Sequence, residues 1–235
     1  MSKVIDSEGF YNQVNSSYDD ISFKKVEYLR AIDFLILQHI VKLEKICLVD
    51  IGSGNGRRLK KILKNISFEK LLLIEQSLGF VKILKENFNP EEIFHGDVVN
   101  FQKKSGEFNI ALCLWNVIAH ADNPKTFLKA IHSLLDKNGT FIFDINNRFN
   151  IKEYGLKNVL TNFIKSKIFS NSGLFILNTN GIKTKVYIYN LSEIKLLLKE
   201  AGFAIDFVKY VNYKTGVIEK NQYSGQMLLS CRKIK

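Results

Sequence analysis

Residues 48–59 read LVDIGSGNGRRL, and this short stretch decides how the rest of the chain is interpreted. A mainly apolar run leads into three glycines at alternate positions, Gly52, Gly54 and Gly56, and a basic helix start follows. Glycine is needed where the backbone turns sharply, or where a ligand approaches so closely that a Cβ atom would collide with it. A strand, a glycine loop and a helix in this order predict a ligand site at the carboxyl edge of a parallel sheet.

The spacing of the glycines separates two kinds of nucleotide-binding loop. The dinucleotide fingerprint is G-x-G-x-x-G, and Arg57 stands where its third glycine should be. An acid two residues before G-x-G-x-G, here Asp50, resembles motif I of the class I S-adenosylmethionine (SAM) methyltransferases. The resemblance implies SAM as the cofactor, S-adenosylhomocysteine as its product, and a set of loop residues around them. That set is Asp50, Gly52, Ser53, Gly54 and Gly56.

The next two predicted strands also lead into acids. The apolar run at residues 71–74 is followed by Glu75, whose two carboxylate oxygens suit the two hydroxyls of a ribose. This acid is expected in both kinds of nucleotide-binding protein. The third strand leads to Asp97, in a segment similar to the one whose acid receives the adenine amino group in SAM methyltransferases. The resemblance therefore implies Glu75 and Gln76 beside the ribose, and Asp97 and Val98 beside the adenine.

A fourth apolar strand is predicted over residues 108–114, and the sequence WNVIAH follows it. This passage resembles the part of the family that surrounds the methionine end of SAM. The resemblance implies that Leu114, Trp115 and Asn116 line the methyl-donor end. Neither N-P-P-Y nor D-P-P-Y occurs here, so the signature of exocyclic amino methylation of nucleic-acid bases is missing.

The N-terminal region resembles the segment that covers the cofactor in this family. Residues 10–19 are similar to its leader sequence, and apolar spacing predicts a helix over residues 23–43. The resemblance implies Tyr18 over the donor methyl group and Arg30 at the methionine carboxylate. A surface tyrosine and a solvated arginine are the alternative interpretation of these two residues.

Methyl transfer to an amine or a hydroxyl also requires a base that removes a proton. His120, in the WNVIAH passage, is the first candidate, although a structural role at a helix start explains it equally well. Asp144, at the end of the predicted strand 140–144, is the second candidate. Polar side chains at the same sheet edge suit substrate contact. The candidates for that role are Tyr11, Asn146 and Arg148.

Residues 145–190 interrupt the alternation of strands and helices, at the place where this family inserts its substrate cap. The sequence predicts a helix over residues 157–167 and strands over 174–177 and 183–189. Residues 145–190 hold seven basic side chains and one acid. This bias favours an anionic substrate, and a solvated lysine face is the alternative.

The C-terminal part resembles the ending of small-molecule class I methyltransferases. A helix is predicted with Ser192 as its N-cap and Gly202 as its stop. Two strands, at residues 204–210 and 226–231, are expected to close a seven-stranded sheet, with a polar connection between them.

Composition sets the class of protein. The 235 residues, 46% hydrophobic and 24% charged, predict one globular domain over residues 1–235. The resemblance implies an N-terminal cover at 1–45 and a substrate cap at 145–190 within it. The net charge of +11 permits a nucleic-acid partner, although a general excess of lysine explains it too. No run reaches the ~18 apolar residues of a membrane span, and no signal sequence begins the chain. We therefore expect a cytoplasmic protein without a membrane partner.

The three cysteines lack metal-ligand spacing, which predicts no metal site.

These observations predict an α/β protein with a doubly wound, seven-stranded and mostly parallel sheet. The resemblance implies a SAM-dependent methyltransferase that acts on an oxygen or nitrogen atom of a small anionic metabolite. Three alternatives stay open: a tRNA or other RNA methyltransferase, a non-catalytic SAM-binding protein, and a nicotinamide-dependent oxidoreductase. The sequence leaves the oligomeric state open as well.

Overall fold

The computed structural model describes residues 4–15, 25–101, 106–168 and 173–234, and two β-sheets organise this part of the chain. The strands are β1 Val4–Ile5, β2 Cys47–Ile51, β3 Lys70–Glu75, β4 Ile93–His95, β5 Phe108–Cys113, β6 Leu135–Ile145, β7 Leu174–Thr179, β8 Ile182–Tyr187, β9 Phe203–Val211, β10 Ile218–Glu219 and β11 Gln226–Lys233. The α-helices are α1 Ser7–Val14, α2 Val26–Ile40, α3 Arg57–Ile62, α4 Leu78–Asn87, α5 Pro124–Leu134, α6 Ile151–Tyr154, α7 Leu156–Ile168 and α8 Leu191–Ala201. Short 3-10 helices lie at Pro90–Glu92, Val98–Asn100 and Val117–His120.

The main sheet has the strand order β10-β9-β11-β6-β5-β2-β3-β4. The strands from β6 to β4 run parallel to one another, whereas β9, β10 and β11 are joined by antiparallel pairing. The chain runs outward from β2 to β3 and β4, then returns to β5 on the other side of β2. Ligands of such sheets bind at this reversal of strand order. The predicted doubly wound α/β fold is confirmed.

The predicted number of seven strands is too low, because the described residues place eight strands in this sheet. The additional strand, β10, lies in the expected polar connection, where Ile218 pairs with Val211. The Asn212 side chain accepts hydrogen bonds from the backbone amides of Lys214 and Thr215, at 3.0 and 3.1 Å, and so turns the chain back. A two-residue strand created by such a turn produces no periodic pattern in the sequence.

The core lies on both faces of the main sheet. Val49, Ile51 and the other residues that point to one face pack against α5 and α8. Leu48, on the opposite face, packs with α2 and α3. Both faces are covered, which is why the central strands are nearly continuous apolar runs. Helix α2 contributes fully buried isoleucines at four-residue spacing, which confirms the predicted helical periodicity there. They are Ile32, Ile36 and Ile40.

Two predicted element boundaries are wrong for local reasons. Helix α8 is capped by Asn190 and not by Ser192, since the Asn190 side chain accepts the Glu193 amide and the Glu193 carboxylate accepts the Asn190 amide. Gly202 ends this helix at φ +90°, as predicted. Strand β6 begins at Leu135, before the predicted residue 140, because residues 136–139 form an irregularity within the strand.

The second sheet has the order β1-β8-β7. Strands β7 and β8 form the hairpin expected within residues 145–190, with Asn180 and Gly181 at its turn, and α7 is the helix expected before it. Strand β1 was not predicted; Val4 pairs in parallel with Lys183 and so joins the N-terminal segment to this hairpin. No helix within the described residues has both the length and the apolar character needed to span a bilayer.

Candidate functional site

The loop after β2 turns through three glycines with left-handed backbone, at φ +71° for Gly52, +56° for Gly54 and +71° for Gly56. A Cβ atom on Gly52 would lie 2.5 Å from Val117, and one on Gly56 would lie 2.6 Å from Leu84. Both of these positions therefore need glycine for packing. A Cβ atom on Gly54 would meet no heavy atom within 4 Å, which leaves open space beside the loop for a ligand.

Glu75 holds this loop against the end of β3. Its carboxylate accepts hydrogen bonds from the Gly54 amide at 2.7 Å and from the Ser77 amide at 2.8 Å. The side chain is 7% exposed, and burial raises its pKa. Each carboxylate oxygen has two acceptor sites, so Glu75 can still accept hydrogen bonds from a ligand's hydroxyl groups.

Asp50 stands near the end of β2, on the strand next to Glu75. Its side chain is buried at 5% exposure, and burial raises its pKa to about 7. The Ser53 hydroxyl donates to the backbone oxygen of Asp50 at 3.0 Å, which closes the first turn of the loop. A half-ionised carboxyl in this position can respond to the charge of a ligand.

Gln76 and Asp97 connect the ends of β3 and β4. The Gln76 amide group donates to the Asp97 carboxylate at 3.2 Å. The other Asp97 oxygen accepts the Val99 amide at 2.8 Å and so caps the 3-10 helix Val98–Asn100. Val98 itself is buried. The structure thus brings Asp50, Glu75 and Asp97 to neighbouring strand ends at one edge of the sheet.

Two cavities meet at the glycine loop. The smaller, of about 60 Å³, is bounded by Glu75, Gln76 and Val98 on the sheet side and by Ser7 and Tyr11 of α1 on the other. The larger, of about 430 Å³, extends from Asp50 and the loop to α2. Both cavities are lined by Gly52, Gly54 and Trp115. The smaller cavity is below the ~300 Å³ that cofactor sites generally enclose.

Tyr11 and His120 form a buried pair beside the smaller cavity. The Tyr11 hydroxyl lies 3.1 Å from His120 Nε2. Burial lowers the pKa of His120 to about 4 and raises the pKa of Tyr11. His120 is therefore neutral at neutral pH, and its Nδ1 has no hydrogen-bond partner among the described residues. Tyr11, and not His120, lines the cavity.

Asp144 lies at the centre of a buried polar network beneath the larger cavity. One of its oxygens accepts the Trp115 amide at 2.6 Å, and the other accepts the Tyr28 hydroxyl at 2.9 Å. Arg58 Nη1 is 3.7 Å from Asp144, and Arg58 Nε is 2.6 Å from Asp33. This network holds Trp115 at φ +69°, a backbone conformation that a bulky residue rarely adopts. Such strain often marks a functional site.

The other methyl-donor candidates lie near this turn. Asn116 is also left-handed, at φ +62°, and its side-chain oxygen accepts the Asn146 amide at 2.9 Å. Leu114 lines the larger cavity. Arg30 also lines this cavity, but its side chain is largely exposed and pairs with Glu27 at 2.8 Å.

Three predicted residues fall outside this arrangement, and one of them, Asn146, lines neither cavity although its backbone amide donates to Asn116. Tyr18 lies outside the described residues. Arg148 is fully buried, forms an ion pair with Glu193 of α8, and lines neither cavity. Arg148 therefore ties the segment after β6 to α8 through this ion pair.

Sequence reasoning missed Tyr28, Asp33 and Arg58. Tyr28 and Asp33 are polar groups on α2, the helix predicted as a cover, and Arg58 is the second arginine after the glycine loop. Their meeting point, Asp144, is far away along the chain. The available signal was Asp144, an acid at the end of a predicted strand. The sequence does not show that Arg58 and Tyr28 are its neighbours.

A methyltransferase-domain family matches residues 22–207, which is most of the chain. The chain belongs to this family, and with its fold it is a class I SAM-dependent methyltransferase. SAM is therefore the cofactor, and the open space at Gly54 and the unfilled acceptor sites of Glu75 suit it. Within the described residues, no group of three or more His, Cys, Asp or Glu side chains is placed to hold a metal.

Several known proteins are similar to this chain in sequence or in fold. An uncharacterized protein of Methanocaldococcus jannaschii is 29% identical over 92% of this chain and 83% of its own length. A Thermotoga maritima structure described as a SAM-dependent methyltransferase, possible histamine N-methyltransferase, has a TM-score of 0.63 at 19% identity, covering 97% and 99% of the two chains. A Burkholderia thailandensis 1,6-didemethyltoxoflavin-N1-methyltransferase, with that compound and S-adenosylhomocysteine bound, has a TM-score of 0.62 at 15% identity, covering 100% and 94%.

A third structure has a protein partner. It is a Haloferax volcanii complex between the Trm112 methyltransferase activator and a methyltransferase, with a TM-score of 0.69 at 11% identity and 97% coverage of both chains. At these identities the structures show a shared fold. The family membership leaves the nicotinamide-dependent oxidoreductase without support.

Proposed function

We propose that this methyltransferase transfers the methyl group of SAM to an oxygen or nitrogen atom of a small anionic metabolite. The observation that carries the proposal is the meeting of two cavities at Gly54 and Trp115. Glu75, Gln76 and Val98 would hold the adenosine half, and Asp50 and Leu114 would hold the methionine half. Bound SAM supplies an electrophilic methyl group, so the main task of the protein is to align the acceptor with it. Alignment of two reactants can contribute on the order of 7–11 kcal/mol.

The charge of the larger cavity supports an anionic acceptor. Four basic side chains, Arg30, Arg57, Arg58 and Lys61, line it against two acids, Asp33 and Asp50, and Arg30 is also paired with Glu27. Asp33 is paired with Arg58, and burial keeps Asp50 about half protonated at neutral pH. The cavity therefore has an excess of positive charge, which favours a carboxylate or phosphate group on the acceptor.

The proposed proton acceptor is His120, and Tyr11 is its link to the cavity. Because a pKa near 4 makes His120 a weak base, the positive charge that the acceptor atom gains as the methyl group arrives must drive the proton transfer. As the acceptor atom gives up its proton to the Tyr11 oxygen, the Tyr11 hydroxyl would pass its own proton to His120 Nε2, 3.1 Å away. Asp144 lines neither cavity, and its two oxygens hold the Trp115 amide and the Tyr28 hydroxyl. We therefore assign Asp144 the task of holding the Trp115 turn, and not the role of base.

Two substitutions test this proton path. Tyr11→Phe and His120→Gln should each lower kcat about 10²-fold or more, the scale of general base catalysis, while the Kd of SAM changes little. Single-turnover kinetics and calorimetry measure the two quantities separately. An unchanged kcat in both variants would remove the pair from the mechanism.

The acceptor is tested directly by methyl transfer from isotopically labelled SAM. The purified protein is incubated in parallel with an anion-exchange fraction of a metabolite extract, with the unretained fraction, and with an RNA pool. We expect label in a small molecule of the anionic fraction. Label in RNA, in a reaction that weakens steeply with salt, would instead establish the RNA methyltransferase. Absence of transfer to all three, with SAM bound, would favour a non-catalytic SAM-binding protein.

A further inference from the structure

Helix α7 exposes aliphatic side chains along one of its faces. Leu156, Leu160 and Ile164 are 57%, 53% and 60% exposed, and their four-residue spacing places them in one stripe. Val159, on a different face of the helix, is buried at 5%. The helix is therefore anchored on one side and presents a second, apolar side outward.

The charges that follow this stripe along the chain all have one sign. Between Glu153 and Glu193 the sequence contains five lysines and neither Asp nor Glu. Lys157 and Lys165 lie on α7 itself, and both are exposed. The β7–β8 hairpin also exposes Lys185, Leu174 and Ile176, the last two at 48% and 50%. We call the exposed aliphatic and lysine side chains of α7 the basic apolar surface.

We propose that the basic apolar surface binds the surface of an anionic lipid bilayer, with the aliphatic stripe of α7 between the headgroups. An amphipathic helix with Leu and Ile on one face and Lys on the other is the usual structure for lying in a membrane interface. Lysines near an anionic leaflet strengthen such binding, and no nearby acid in this stretch opposes it. The sequence analysis predicted no membrane partner because no apolar run is long enough to span a bilayer and no signal core is present, but these criteria do not concern helices that lie on a membrane surface. The proposal does not depend on which molecule accepts the methyl group.

Two other partners fit this surface less well. In a symmetric contact between two copies of the chain, the lysines of one copy would face those of the other, and like charges repel. RNA would be attracted by the lysines, but recognition of single-stranded RNA stacks successive bases on several aromatic or arginine planes, and the sequence of α7 contains one, Phe163, which is 45% exposed. An anionic bilayer satisfies both the charge and the aliphatic stripe.

Co-sedimentation of the full chain with vesicles tests the proposal. One set of vesicles is an equimolar mixture of phosphatidylcholine and phosphatidylglycerol, and the other is phosphatidylcholine alone. The test variant carries Leu160→Glu and Ile164→Glu. The charge-matched control carries Asn158→Glu and Thr161→Glu, at exposed positions on the polar side of the same helix. Circular dichroism and SAM binding verify that each variant is folded.

We expect the wild type to sediment with the anionic vesicles only, and less so at high salt. The test variant should lose about tenfold or more in partition coefficient, because two aliphatic groups leave the interface and two charges are added. The control should lose several-fold less. A second variant, Lys157→Gln with Lys165→Gln, leaves the aliphatic stripe intact and should lose about fivefold per lysine.

Three results would overturn the proposal. They are absence of sedimentation with anionic vesicles, equal losses in the test variant and its control, and unchanged binding in the lysine variant. A change of oligomeric state in the test variant, seen by analytical ultracentrifugation without any lipid effect, would assign the surface to a second copy of the chain. RNA binding that the lysine variant loses, again without a lipid effect, would assign it to RNA.

Discussion

Gly54 differs from the other loop glycines because open space, and not packing, surrounds its missing Cβ. We predict that Gly54→Ala weakens SAM binding about tenfold or more, since the added methyl group enters the space that the cofactor needs. The left-handed backbone at φ +56° also makes the substitution cost ~1 kcal/mol of stability. Calorimetry with SAM measures the first effect, and chemical denaturation measures the second.

Gly181 provides the matched control for this substitution. It also has a left-handed backbone, at φ +83°, and no heavy atom within 4 Å of an added Cβ, but it lies in the β7–β8 turn. Gly181→Ala should therefore lose a similar amount of stability and bind SAM as the wild type does. Equal affinities in the two variants would mean that Gly54 does not face the cofactor.

Asp50 should make SAM binding depend on pH. Burial raises the pKa of this carboxyl from an ordinary 3.8 to about 7. Between these two pH values the folded protein holds a proton that the unfolded chain has lost. Stability therefore falls as the pH rises from 3.8 to about 7 and Asp50 must ionise in the folded state. A cationic methionine ammonium group beside Asp50 would favour the ionised form. We predict that SAM binding at pH 7 releases about half a proton from Asp50, and that affinity increases from pH 6 to pH 8.

Calorimetry in two buffers of different ionisation enthalpy measures this proton release. Asp50→Asn is the comparison, because it keeps the shape of the side chain but cannot ionise. The variant should lack the release that Asp50 contributes. The same proton count in wild type and variant would show that Asp50 does not contact the charged end of the cofactor.

At the scale of single residues, the sequence predicts which polar side chains lie at the end of a strand. It does not predict contacts between side chains that are far apart along the chain. Asp50 and Glu75 could be predicted because a short motif places each at a strand end. The contact of Tyr28 with Asp144 could not, since 116 residues separate the two and neither has a local motif. Likewise, the left-handed backbone of Trp115 depends on a hydrogen bond that its amide donates to Asp144 on another strand.

At the scale of elements, periodic and well-capped segments were predictable, and short paired ones were not. The apolar spacing of α2 and the glycine stop of α8 are local signals, and the structure contains both. Strands β1 and β10 have two residues each and exist only because a distant or returning strand pairs with them. Such pairing is a tertiary property, and a two-residue strand is too short to show an alternating pattern.

Helix α1 is the element that we expect to control cofactor exchange. Phe10 and Val14 are buried, and the Asn12 side chain accepts the Ser77 hydroxyl at 2.8 Å. We predict that deletion of residues 1–15 increases the dissociation rate of SAM about tenfold or more without slowing association, because α1 closes the smaller cavity. Trp115 is the single tryptophan of the chain and lines both cavities, so its fluorescence in stopped-flow mixing reports the rates.

A milder variant tests the same idea with β1 still present. Asn12→Ala removes the hydrogen bonds to Ser77 and Gly79, at 2.8 and 3.3 Å, and leaves the rest of α1 in place. It should increase the dissociation rate in the same direction but less than the deletion does. Unchanged dissociation in both variants would show that α1 is not the cover of this site.

At the scale of the whole molecule, cofactor binding should be visible as a change in global stability, because the site joins elements from both halves of the main sheet. The glycine loop and Glu75 come from one side of the switch point, and the Trp115 turn and Asp144 come from the other. A ligand at one hundred times its Kd adds about 2.7 kcal/mol to the free energy of unfolding. For a chain of 235 residues this corresponds to an increase in Tm of roughly 5–10 °C.

We therefore predict that saturating SAM raises Tm by this amount, whereas NADH at the same concentration does not, because the loop lacks the third fingerprint glycine. Glu75→Ala should abolish most of the SAM effect, since it removes a charged acceptor for the ribose hydroxyls. Glu69→Ala, at an exposed position just before β3, should retain it. Differential scanning calorimetry measures all of these shifts. An equal shift with NADH, or a full SAM shift in Glu75→Ala, would contradict the assignment of the pocket, because each would show that stabilisation arises without the contacts proposed for the adenosine half.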